Sequence, residues 1–286
     1  MSDIRTDELS GARVVVAGTR QHRPNRPGAG ACPFCVGGVE APEPYDVRAF
    51  VNRWPSFPDG RCEVVLYTPH HDLTFPDLGE QGARRVVDLW ADRTAALGSR
   101  HDVAYVLVFE NRGEEVGATI SHPHGQIYAY DEIPDAPLTE LRRAVAGSCA
   151  LCAPTDDALL VATAAGWRAW VPHASAYPYS LVLAPDVHRP DLPSLDGPQR
   201  DGLAVLLLDV LGRLDRLFET PLPYMLWFHQ RPTDGGLWPE AHLHAHVVSP
   251  LRSPGVQRYV AAAELGSGAY VNPVVPEDAA AALRGV

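Results

Sequence analysis

The segment Ser121-His122-Pro123-His124-Gly125-Gln126 places two imidazoles and a carboxamide within six residues. In extended backbone alternate side chains share a side, so His122 and His124 face the same way. Pro123 removes a backbone donor and stiffens the turn. Gly125 lets a ligand approach the chain closely, and Gln126 offers a neutral amide donor to a phosphate oxygen. A neutral imidazole beside a phosphate is a competent nucleophile for phosphoryl or nucleotidyl transfer, provided its other ring nitrogen donates to a backbone carbonyl. The same residues admit a second reading, a metal-binding histidine pair with no covalent role, and the local sequence does not choose between the two.

Metal ligation has its own residues. Cys32, Cys35, His71 and His122 form a Cys2His2 set of the kind tetrahedral zinc prefers. His70 competes with its neighbour His71. A second set reads Cys149, Cys152, His188 and His244, with His229, His242 and His246 as competitors for the same ion. Cys62 has no partner and reads as a core cysteine in a strand. A chain without leader or anchor signals belongs by default to a reducing compartment, where paired cysteines suggest metal before disulfide.

The elements that must carry these groups repeat. Each Cys-x-x-Cys pair precedes an apolar strand, Val64–Tyr67 or Leu181–Leu183, which ends in a proline-histidine turn. The spacing from Cys35 to His71 and from Cys152 to His188 is the same, 36 residues. Helical periodicity follows at 81–98 and 197–217, then a further strand in each half, Tyr105–Phe109 and Tyr224–Phe228. Each half closes on a His-x-His pair, which this spacing aligns as His122/His124 with His244/His246. The pattern predicts a duplicated α+β unit of about 120 residues, with units over 1–146 and 147–286.

Composition narrows the chemistry. All 24 basic residues of the 286 are arginine, which excludes a P-loop lysine and a lysine Schiff base. A formal charge of −11 argues against a general nucleic-acid or anionic-membrane binder. Met1–Glu8 is polar and acidic, unlike a signal peptide, and no apolar run approaches the ~20 residues of a membrane span. The expected compartment is the cytoplasm.

The string His122-Pro-His-Gly-Gln126 resembles the signature of the galactose-1-phosphate uridylyltransferases, members of the histidine-triad superfamily. Similar stretches run from Val14–Pro24 through Cys32-Pro-Phe-Cys35, Tyr67–Pro76, Val108–Gly113 and Trp227–His229 to His242–His246. The resemblance implies two histidine-triad-like units, each an antiparallel sheet with packed helices. It implies a ping-pong reaction in which His124 attacks the α-phosphorus of UDP-glucose, glucose 1-phosphate leaves, and galactose 1-phosphate collects the uridylyl group. Gln126 would donate to the phosphate; Arg20 and Arg23 would face it. Asn52 and Asn111 would bind the nucleoside diphosphate, with Gly117 and Thr119 (a serine in most relatives) approaching its phosphates. Taken alone, these arginines and asparagines are equally readable as solvated or turn-forming residues.

By the same resemblance Glu264 would bind a hexose hydroxyl, with Arg258 where relatives carry lysine, and this tail would reach the partner's site in a homodimer. Zinc would fill the first site and zinc or iron a second. Some relatives build the second from a glutamate and three histidines, matched here by Glu140, His229, His244 and His246. Others use the thiolate set, which the repeat favours. The two sets share His244 and cannot both be filled in full. Two further readings are a related nucleotide-sugar or dinucleotide phosphorylase (an adenylyltransferase among them) and a non-catalytic zinc-stabilised nucleotide-binding protein.

Overall fold

The computed structural model describes residues 3–22, 32–144 and 149–286. A short hairpin pairs β1 (Asp3–Thr6) with β2 (Arg13–Val16). The main chain path then runs β3 (Arg48–Val51), β4 (Cys62–Leu66), α1 (Gly79–Gly98), β5 (Tyr105–Arg112), β6 (His124–Tyr130) and α2 (Asp135–Arg143). The second half follows as β7 (Leu160–Ala164), β8 (Trp167–Trp170), β9 (Leu181–Pro185), α3 (Gly197–Leu217), β10 (Tyr224–His229) and β11 (His244–Val248). A tail of β12 (Leu251–Ser253), β13 (Val256–Gln257), α4 (Ala262–Ser267) and α5 (Pro276–Arg284) completes the described chain.

Nine strands form one antiparallel sheet in the order β3-β4-β6-β5-β10-β11-β9-β8-β7. Apart from the outermost strand β7, the order is a palindrome about the β5–β10 seam: β3-β4-β6-β5 on one side answers β8-β9-β11-β10 on the other. The two expected sheets are therefore edge-joined, which removes one exposed edge from each half. The α+β class and the antiparallel pairing agree with the sequence expectation.

The two long helices cover one face of the sheet. α1 buries Val86, Val87, Trp90, Ala91, Thr94 and Leu97 at helical spacing. α3 starts at an N-cap where the Asp196 carboxylate accepts from Gln199 N at 2.9 Å, and it buries Leu203, Leu206, Leu207, Val210, Leu211 and Leu214. α1, α3, α5 and the inner sheet residues of both halves share a single apolar core. Strand alternation leaves the other sheet face for chemistry. On β6, Gly125, Ile127 and Ala129 are buried on the helix side, while His124, Gln126 and Tyr128 are half-buried on the opposite side. Among the described residues, no helix is long and apolar enough to cross a membrane.

Candidate functional site

His124 opens β6 and is placed by its own backbone. Its Nδ1 lies 2.7 Å from the His122 carbonyl oxygen. Nδ1–H donates there, so the lone pair sits on Nε2. Phe34 packs edge-on against the ring at 5.1 Å between centroids. The ring lines a cavity of about 940 Å³, together with Asn111, Thr119, Asp72, Glu110 and Arg112.

The turn that ends at His124 is pinned by the first Cys/His cluster. Cys35 Sγ lies 3.6 Å from His71 Nδ1 and 3.7 Å from His122 Nδ1, with Cys32 Sγ 3.9 Å from His122 Nδ1. A tetrahedral ion with bonds of about 2.0–2.3 Å spaces its donors by roughly 3.3–3.8 Å. The three contacts lie within or just above that spacing, and all four ligand atoms lie within 4.8 Å of one another, close enough to close on one metal. His122 is fully buried, and burial lowers its pKa. Its Nε2 donates to Thr68 O at 2.8 Å, which turns Nδ1 towards the sulfurs. Tyr45, unforeseen from sequence, ties this shell together: its hydroxyl sits 3.1 Å from His122 Nε2 and donates to Phe34 O at 2.6 Å.

In the second half Cys149, Cys152 and His188 gather around His242, not around His244. Cys149 Sγ is 3.2 Å from His242 Nδ1, and Cys152 Sγ is 3.5 Å from His188 Nδ1 and 3.6 Å from His242 Nδ1. This corrects the expected fourth ligand. His242 precedes β11 as His122 precedes β6, so the true match is His122/His124 with His242/His244. His244 repeats the posture of His124, its Nδ1 2.8 Å from His242 O. The sheet pairing also shifts the neighbouring strand by one residue: Phe109 corresponds to Trp227 rather than Phe228, since Phe109 pairs with Gln126 and Trp227 with His246.

The shift exposes a second correspondence. Asn111, His124 and Gln126 in the first half occupy the sheet positions of His229, His244 and His246 in the second. These three histidines form a further cluster with Glu140 from α2. Glu140 Oε2 is 2.7 Å from His229 Nδ1 and 3.3 Å from His244 Nε2, and Oε1 is 3.9 Å from His246 Nε2. Burial raises the Glu140 carboxyl's pKa, but hydrogen bonds from His229 and His244 outweigh it and hold the group well below the usual carboxylate range. Burial and neighbouring imidazoles press His246 down to about 3 and His242 to about 4. Trp227 stacks on His246 at 4.9 Å. The thiolate and carboxylate sets are thus disjoint, and the conflict over His244 disappears.

The other expected residues divide. Gln126 stands two residues beyond His124 on the same face, and Asn52 Nδ2 reaches its Oε1 at 3.5 Å. Arg20 donates to Ser56 Oγ and to Tyr128 Oη, the latter at 2.9 Å, so it lies along the same row of β6. Asn111 and Thr119 line the large cavity; Gly117, at φ 84°, makes the left-handed turn just before Thr119. Arg23 falls outside the described residues. Arg258 and Glu264 line neither the His124 cavity nor the one beside Glu140. They pair with each other, buried, and Glu264 also accepts from Ala261 N at 2.8 Å and Val271 N at 2.9 Å.

A doubled antiparallel sheet, with a metal-ligand turn leading into a tautomer-fixed histidine, defines a nucleotide-transferring protein of the histidine-triad type. The chain belongs to the galactose-1-phosphate uridyl transferase family: the family's N-terminal domain matches residues 52–134 and its C-terminal domain residues 152–286. It is similar to the galactose-1-phosphate uridylyltransferase of Thermotoga maritima, 33% identical over 99% of this chain and 98% of the relative. The Streptomyces lividans galactose-1-phosphate uridylyltransferase is 39% identical over 81% of this chain and 70% of its own length. A solved uridylyltransferase superposes with a TM-score of 0.90 at 28% identity, covering 100% of this chain and 98% of the other.

Proposed function

We propose that the protein transfers UMP from UDP-glucose to galactose 1-phosphate through a uridylyl-His124 intermediate. The observation that carries this reading is the 2.7 Å contact from His124 Nδ1 to His122 O, which puts the nucleophilic lone pair on Nε2 beside a large cavity. Nε2 attacks the α-phosphorus and glucose 1-phosphate departs. As the ring gains positive charge, its Nδ1–H donates more strongly to the carbonyl. Gln126 donates its amide to a non-bridging oxygen, its own acceptor taken up by Asn52. Asn111 and Thr119 line the route for the diphosphate, and Arg20 supplies positive charge along the row. Galactose 1-phosphate then attacks the phosphorus, and His124 leaves neutral. Two in-line displacements replace one direct exchange.

Metal donors fit zinc in the two Cys2His2 sets, Cys32/Cys35/His71/His122 and Cys149/Cys152/His188/His242. Glu140, His229, His244 and His246 suit a divalent transition ion, iron or zinc. When bound, the ions cross-link strands and turns; the chemistry stays with His124. The same reading makes the chain a cytoplasmic homodimer of two units meeting near residue 146. Exposed Tyr259, Leu265 and Val271, at 77%, 73% and 68%, support a role for the tail in dimer contact, where Arg258 and Glu264 would serve the partner's hexose.

The test is labelling with UDP-glucose carrying ³²P at the α-phosphate, beside equally labelled ADP-glucose. The reading expects acid-labile label from UDP-glucose, discharged by galactose 1-phosphate. Label from ADP-glucose alone would reassign the protein to adenylyl transfer; saturable binding without label would make it a nucleotide-binding protein.

A further inference from the structure

Gly125 leaves a space beneath the strand that carries His124, and the buried Tyr67 side chain fills it. A Cβ at Gly125 would lie 2.1 Å from the Tyr67 hydroxyl, which reaches in from just beyond β4. From the other side comes Glu110: β5 pairs Phe109 with Gln126, and continuing that register sets Glu110 opposite Gly125. Tyr224 on β10 donates its hydroxyl to Glu110 Oε1 at 2.8 Å. The Tyr67 hydroxyl and Glu110 Oε2 are each buried without a hydrogen bond of ordinary geometry, yet lie close enough for the hydroxyl to stabilise the carboxylate. Glu110 also lines the His124 cavity.

We propose that Glu110, with Tyr67 and Tyr224, is a positioning residue for the nucleophile: Tyr67 reaches beneath Gly125, and Glu110, held by Tyr224 and standing opposite Gly125 on β5, steadies that hydroxyl so that β6 presents His124 to its cavity. The inference rests on His124 being the uridylyl acceptor. The bridge is strongest when Glu110 is ionised, because hydrogen bonds from the two hydroxyls to a carboxylate are charge-assisted. Burial pushes the Glu110 pKa up to about 7 against the two hydroxyls and the Arg112 charge. The groups facing it are Tyr67, Tyr224 on β10 and Arg112 on β5; Arg112 is itself paired with Asp215 of α3 at 2.7 Å. From α1 the neighbour of Tyr67 is Trp90, which does not titrate. Positioning therefore strengthens as pH rises through neutrality.

The experiment is rapid-quench uridylylation of the wild type, Glu110→Gln and Tyr67→Phe by UDP-glucose across neutral pH, with hydrogen exchange over residues 124–130. The wild-type single-turnover rate should rise through an inflection at about pH 7. Glu110→Gln should lose the inflection and roughly tenfold or more in rate, at unchanged KM for UDP-glucose. Tyr67→Phe should slow the reaction and displace the inflection. Amides of 124–130 should exchange faster in both variants. A Glu110→Gln protein with the wild-type rate and pH profile overturns the proposal, as does exchange accelerated throughout the chain with an unchanged rate. If the wild type takes up no label, the reading of His124 fails instead, and exchange at 124–130 still judges the bridge.

Discussion

Gly125→Ala is the smallest change that should disable the site without touching a reacting group. The new methyl would sit 2.1 Å from Tyr67 Oη, 3.0 Å from Tyr67 Cζ and 3.1 Å from Phe109 O. Relief needs a separation of about 1 Å. Tyr67 cannot supply it: the ring is 2% exposed and wedged edge-on against Phe75 and Trp90 at 5.6 and 5.7 Å. The strand must rise, and His124 with it. Overpacking of this size costs about 1–3 kcal/mol of stability. A displacement of about 1 Å at a nucleophile costs on the order of 100-fold in rate. Exchange of labelled glucose 1-phosphate into UDP-glucose measures kcat, and thermal unfolding measures the fold. The expectation is a loss of roughly 100-fold in kcat with a fall of only a few degrees in Tm. Removing the hydroxyl leaves Cζ at 3.0 Å, so Tyr67→Phe combined with Gly125→Ala should recover part of the loss. A single variant with wild-type kcat would refute the argument that Tyr67 fixes the strand.

Two further outcomes follow from the clusters and from Glu110. Elemental analysis should find metal in all three ligand sets; Cys152→Ser should remove one ion and His244→Ala a different one, whereas loss of the same ion from both variants would restore a shared site. Glu110 also predicts how stability varies with pH. Its folded pKa of about 7 lies above the ordinary value of 4.5, so between these pH values the native state holds a proton the unfolded chain has released. Stability should fall as pH rises through that window, by about 3 kcal/mol in all. Urea unfolding of wild type and Glu110→Gln on either side of the window checks this, and equal slopes for the two proteins would remove Glu110 as the cause.

Much of this was legible in the chain because periodicity and metal-ligand spacing are local signals. The helical pattern over 197–217 matches α3, and that over 81–98 lies within α1, which starts two residues earlier. The core cysteine Cys62 is indeed fully buried in β4. The error at His244 has a physical cause: His242, His244 and His246 alternate along one extended segment, so spacing alone offers all three to the same ion. The strand start decides, because the histidine of the Cys/His set precedes the strand and the next histidine opens it. Comparing His122-x-His124-x-Gln126 with His242-x-His244-x-His246 would have found that register. Tyr45, Tyr67 and Glu110 carried no such signal. Their roles depend on which strands become neighbours, and the β5–β10 seam that joins the halves is a long-range pairing.

The central claim is that His124, and no other residue, takes up the uridylyl group. Intact-protein mass spectrometry after mixing with UDP-glucose, followed by peptide sequencing under conditions that preserve the P–N bond, tests it directly. A mass increase of one uridylyl group is expected on the peptide bearing His124, gone after galactose 1-phosphate is added and absent from His124→Ala. A uridylylated His124→Ala protein, or an adduct mapped to His244 in the mirrored site, would contradict it.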